Sequence, residues 1–218
     1  MEDTTIKDNL KTVEALYNQG DYQGAIRLLE NNQIHMSAGL WHYNMGTLYA
    51  KLEKLPLSRY HFIMADFDGY SSKDFIKNKK IVETKLDIPR YEKSLSIVDY
   101  LLKGSLEATQ GFFTMLSLSM IVVGLYLAWR RTNLKAFVFS VIFSFFILIF
   151  NFWVQNWKKF IVVENQTLYE GPSSIFSSNN ELPAGVMVIV LEKDDWLKIV
   201  YPSRFSGWIK NAGIRELR

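Results

Sequence analysis

The chain contains no cysteine in 218 residues. That excludes disulfides, thiol nucleophiles and cysteine-ligated metal centres. Histidine is nearly as scarce, with only His35, His42 and His61. There is no HExxH pair, no GxSxG elbow and no glycine-rich phosphate loop. The carboxylate pairs Asp194-Asp195 and Asp66/Asp68 fall in expected turns, where their default role is solvated turn chemistry. With no nucleophile, base and orienter grouped together, the sequence points away from catalysis and names no cofactor or metal. His42 and His61 could face each other across one helical hairpin.

An excess of charge of either sign is also missing. Residues 1–110 carry 14 basic and 15 acidic side chains, and residues 158–218 carry 8 and 7. Neither part has the basic face of a nucleic-acid binder, so nucleic acid is not an expected partner. The three remaining cations, Arg130, Arg131 and Lys135, lie close together in the middle of the chain.

Around them lie two stretches without charge, 111–129 and 136–154, the second continuing uncharged to Trp157. At about 1.5 Å per residue each has the length of a helix crossing a hydrocarbon core of roughly 30 Å. The sequence therefore predicts a transmembrane hairpin with a folded region on each side. The absence of ionisable residues within the spans argues for an anchor and against a conduit. Small residues recur every fourth position (Gly124 and Ala128; Ala136, Ser140 and Ser144), which allows close helix packing. Trp129, Trp153 and Trp157 fit interfacial anchors. The cationic loop 130–135 is expected in the cytoplasm of a bacterial inner membrane, with both flanking domains periplasmic. The opening MEDTTIKDNL carries no apolar signal segment.

Before the hairpin the pattern is helical. Ile6, Leu10, Val13, Leu16 and Tyr17 recur at three- and four-residue steps, Gly20-Asp21 interrupts, and Tyr22, Ala25, Ile26 and Leu29 resume. The pattern returns 33 residues later, Val13 mapping to Gly46, Leu16 to Tyr49, Tyr22 to Leu55 and Leu29 to Phe62. Pro56 is tolerable only in the first turn of its helix. A third helix is expected after Ser71 or Ser72, through Phe75, Ile76 and Val82, closing the array. The segment 94–106 is amphipathic and predicts a connecting helix. Residues 43–52 resemble the first helix of a tetratricopeptide repeat (TPR), with Gly46 allowing close approach. Tyr22, Ala25, Tyr43, Gly46 and Tyr49 are the packing and groove residues of that reading. Packing is the expected role of Trp41, Tyr43, Tyr49, Tyr60 and Phe62.

After Lys159 the pattern changes to short strands at 160–163, 186–191, 196–200 and 207–209, with turns at 170–173 and 183–185. These predict a small barrel. In order, Leu168-Tyr169, Gly171-Pro172-Ser173, Leu182-Pro183-Ala184-Gly185, Asp195-Trp196-Leu197 and Ser206-Gly207-Trp208-Ile209 resemble a bacterial SH3-like (SH3b) domain. Trp196 and Trp208 read as packing residues or as part of a recognition face; Tyr169, Tyr201 and Phe205 read as surface contacts.

The expected fold class is thus a multidomain membrane protein. It comprises an all-α TPR-like region (1–92), a connector helix (93–110), spans at 111–129 and 136–157 about the loop 130–135, and a small all-β SH3-like barrel (160–218). This order resembles the BatE-type proteins of Bacteroides aerotolerance (Bat) clusters. The resemblance implies a non-catalytic membrane-anchored adaptor in an envelope-stress or aerotolerance complex, with a MoxR-type ATPase and von Willebrand A-domain proteins as partners. Peptidoglycan is a further candidate ligand. The alternative is an envelope sensor that binds peptidoglycan fragments through the barrel.

Overall fold

The computed structural model describes residues 2–31, 36–93, 95–107, 110–130, 134–155, 157–193 and 195–217. It divides into two compact units, 1–95 together with 158–218, and 96–157. His35, Ser94, Asp194 and the loop residues Arg131, Thr132 and Asn133 lie outside the described residues, as do the side chains of Ile6, Asn151 and Gln155.

The first unit opens with six helices: α1 (Glu2–Gln19), α2 (Tyr22–Asn31), α3 (Ala38–Lys51), α4 (Leu55–Phe67), α5 (Lys73–Lys85) and α6 (Ile88–Lys93). One device ends the first, third and fourth. After α1, Gly20 takes φ +81° and Asp21 N–H reaches back to Leu16 C=O at 2.9 Å. After α4, Gly69 takes φ +75° and Tyr70 N–H bonds Ala65 C=O. Such left-handed caps satisfy carbonyls that the helix end would orphan. Glu53 plays the same part after α3, 33 residues from Gly20, with Lys54 N–H on Tyr49 C=O at 3.0 Å. The sequence period is therefore a period of helix ends. Asp21 caps α2 through Gly24 N–H, Ser72 caps α5 through Phe75 N–H, and Pro56 sits in the first turn of α4.

Two apolar clusters hold the helices. Ile26, Leu29, Trp41 and Met45 join α2 to α3; Phe62, Ala65, Phe75 and Val82 join α4 to α5. Between α3 and α4, Gly46 faces the Phe62 ring and Ser58 Oγ donates to Gly46 C=O at 2.6 Å.

The same unit ends in seven antiparallel strands: β1 (Lys159–Val162), β2 (Gln166–Tyr169), β3 (Ser178–Leu182), β4 (Met187–Lys193), β5 (Trp196–Tyr201), β6 (Gly207–Lys210) and β7 (Ile214–Leu217), in spatial order β3-β2-β6-β5-β4-β1-β7. β3, the polar run Ser178-Asn179-Asn180-Glu181-Leu182, carries no apolar alternation and is a strand that the sequence pattern does not predict. β1 is buried on both faces. Phe160 and Val162 enter the sheet core with Val188, Leu197 and Ile199, while Ile161 packs with Met64 of α4 and Leu217 of β7. Arg59 of α4 reinforces this junction, its guanidinium Nη1 donating to Gly185 C=O in the loop before β4. Glu83 lies 3.9 Å from its Nε.

The second unit contains α7 (Ile97–Glu107), α8 (Gln110–Trp129) and α9 (Leu134–Gln155). Ser96 and Asp99 form a capping pair at the start of α7, Asp99 N–H donating to Ser96 Oγ and Ser96 Oγ to the Asp99 carboxylate. α8 and α9 approach through small residues: Ser144 Oγ donates to Ser117 C=O at 2.9 Å, and Ser140 lies against Gly124. Phe139, Ile149, Met115 and Val122 point outward.

The expected two-span hairpin is not supported. Among the described residues no helix is long and apolar enough to cross a membrane. The inner-membrane localisation, with a cytoplasmic loop and periplasmic domains, rested on that hairpin and falls with it. In place of a multidomain membrane architecture the structure has nine helices and a seven-stranded antiparallel sheet among its described residues.

Candidate functional site

Two features of the first unit gather chemically capable side chains. The first is an open cleft of about 420 Å³ between the α3–α4 hairpin and β7, lined by Trp41, His42, Tyr60, His61, Met64, Arg215, Glu216 and Leu217. Helical spacing brings the two histidines together. His42 on α3 and His61 on α4 stand at equivalent heights of an antiparallel pair, and their Nδ1 atoms are 2.9 Å apart. One nitrogen must carry the proton and the other accept it. Asp68 Oδ2 lies 3.9 Å from His42 Nε2, beyond hydrogen-bond distance, so the direction of the His42–His61 bond follows the tautomer of each ring.

Aromatic rings fix both imidazoles. Tyr49 stacks on His61 with ring centroids 5.3 Å apart, while Trp41 and Tyr60 meet His61 edge-on. Trp41 is itself held by its Nε1–H donating to Leu29 C=O at 2.9 Å. Burial pushes the His61 imidazole down to about 3, with the neighbouring His42 and the Arg215 guanidinium adding to the effect. Arg215 stands over the Tyr60 ring at 5.9 Å.

The second feature is the outward face of β2, β6 and β5. Leu168, Leu197, Ile199 and Ile209 point into the sheet core, so their strand neighbours alternate outward. The register pairs Tyr169 with Trp208, Trp196 with Lys210, and Lys198 with Trp208. Tyr169 meets Trp196 edge-on at 5.3 Å; Lys210 lies over Trp196 and Lys198 over Trp208, each 5.9 Å from the ring centroid. Aromatic and cationic side chains thus alternate across three strands.

The remaining expected site residues are distributed between core and surface. Ala25 is fully buried, and Tyr22 packs edge-on to Tyr17. Tyr43 packs among Phe62, Tyr70 and Phe75. Gly46 contacts Phe62, whereas Tyr49 faces the histidine cleft. Tyr201 and Phe205, read as surface contacts, are only 3% and 5% exposed. Tyr201 shares the inward parity of Leu197 and Ile199, and Phe205 folds back from the short turn Ser203–Phe205 into the sheet core. Arg215 carried no sequence signal. It lies more than 150 residues from both histidines, and nothing local marks it. Among the described residues no group of three His, Asp or Glu side chains could hold a metal ion.

Comparison with protein-family models, with curated proteins and with solved structures finds no match in any of the three. The BatE-type resemblance therefore does not carry over to this chain. Neither do the tetratricopeptide-repeat, SH3b, aerotolerance and Bat-complex descriptions that accompanied it. A physical reason lies in the fold itself. A small residue where two helices touch and short antiparallel strands joined by Gly and Pro turns are general packing solutions, which unrelated chains reach independently.

Proposed function

We propose that the protein is a non-catalytic binding protein whose recognition surface is the outward face of β2, β6 and β5. The alternation of Tyr169, Trp196 and Trp208 with Lys198 and Lys210 carries this reading. Tyrosine and tryptophan offer large rigid contact area at little entropic cost and concentrate at protein interfaces. Lysines beside them suit a partner segment that combines acidic and apolar side chains. His61 fits a non-catalytic role, because an imidazole held at about 3 is a poor general base near neutral pH.

The test is quantitative affinity capture of partners with the full chain, comparing wild type with Trp196→Ala/Trp208→Ala. Both tryptophans are only partly buried, and thermal melts establish that the variant is folded. A protein partner retained by wild type and lost by the folded variant supports the reading. A partner held equally by both refutes this choice of surface.

A further inference from the structure

We infer that the cleft between the α3–α4 hairpin and β7 is a binding site for a small organic monoanion with a flat apolar body, an aromatic carboxylate being the simplest such ligand. The argument starts from the register of β7. Ile214 packs into the sheet core, so Arg215 and Leu217 project from the opposite pleat, toward α4. Leu217 closes against Met64 and Ile161, and Arg215 is left at the cleft mouth over Tyr60. A guanidinium is the side chain best matched to a planar carboxylate, which it meets with two parallel hydrogen bonds.

The charges around the cleft limit what can bind. Asp68 lies behind His42, Glu216 sits on the other pleat of β7, and Glu30 acts on Tyr49 from α2. Arg215 is the one cation among the described residues that line the cleft, and the acidic groups around it favour a single negative charge over a phosphate dianion. Trp41, Tyr60, Met64 and Leu217 supply the apolar walls, and about 420 Å³ accommodates a ring with a short acidic arm. Bound there, a carboxylate would offset the guanidinium field that, together with burial, holds His61 neutral.

The experiment uses the full chain and phenylacetate as probe, with phenylacetamide as its uncharged counterpart. Binding is followed by titration calorimetry and by the imidazole resonances of His42 and His61. Saturable phenylacetate binding that shifts both histidines, at least tenfold weaker binding by phenylacetamide, and at least tenfold loss in Arg215→Gln are the expected results. Arg215 is exposed, so the variant keeps the fold, and Lys80→Gln on α5 serves as a control for loss of one positive charge with affinity unchanged. Absence of saturable binding, equal binding of the amide, unshifted histidines or full affinity in Arg215→Gln would each overturn the site.

Discussion

Replacing Gly46 with alanine tests the contact that sets the spacing of α3 and α4. A Cβ built on Gly46 would stand 2.6 Å from Cδ1 and 2.7 Å from Cε1 of Phe62, about 1 Å inside normal contact. Phe62 is fully buried and packed against Phe75, so its ring cannot simply turn away. Overpacking of this kind costs ~1–3 kcal/mol. Against it stands the gain of alanine over glycine within a helix, ~1 kcal/mol. Separation of the helices would also stretch the 2.6 Å bond from Ser58 to Gly46 C=O, adding ~1 kcal/mol. The net expectation is destabilisation of ~1–3 kcal/mol, read as a lowered urea midpoint at unchanged m-value. Gly104→Ala, where no atom lies within 4 Å, isolates the propensity term and should be neutral to stabilising. The double variant Gly46→Ala/Phe62→Leu should cost less than the sum of its parts, by roughly 1 kcal/mol. A Gly46→Ala protein as stable as wild type, or strict additivity in the double variant, would refute the close-approach argument.

Two further perturbations probe the same unit. His61 is neutral when folded and its affinity for a proton is depressed from 6.5 to about 3, so the unfolded chain binds more protons throughout that interval. Stability contributed by the neutral imidazole is complete above pH 6.5 and falls as pH drops toward 3, at up to ~1.4 kcal/mol per pH unit. Denaturation midpoints at pH 7, 6 and 5 should show this slope in wild type and a shallower one in His61→Gln; equal slopes would remove His61 as the cause. Arg59→Met should destabilise by ~2–4 kcal/mol, because it leaves Gly185 C=O without its buried charged donor. Hydrogen exchange should then report faster opening of the 183–186 turn and of the α4–β1 contact, and unchanged exchange there would refute the role assigned to Arg59.

Much of the first unit was legible because its signals are local. Apolar steps of three and four residues, the 33-residue return and the expected helix start after Ser71 or Ser72 delimit helices that the structure contains, and the His42–His61 pairing follows from position on an antiparallel hairpin. Strand parity was equally available on β5. Trp196 and Lys198 share one face and Leu197, Ile199 and Tyr201 the other, which already assigns Tyr201 to the interior. β3 was illegible because its pairing with β2 is carried by backbone hydrogen bonds and not by apolar alternation. Arg215 and the Arg59–Gly185 bond were illegible because tertiary contact alone creates them. The uncharged runs misled: among the described residues no helix is long and apolar enough to cross a membrane, and small residues that let two helices approach are equally at home in a pair that does not span one.

The bond from Arg59 to Gly185 joins residues 126 positions apart. A ribosome adding ~5–20 residues per second needs roughly 6–25 s to make the second partner after the first. During that interval α4 already exists, while Ile161 and Leu217, which cover Met64 in the finished molecule, have yet to be made. The helical segment is thus an unfinished surface waiting for its own carboxyl-terminal sheet. A stop codon within residues 96–157 would leave that surface permanently bare and open to chaperones and aggregation.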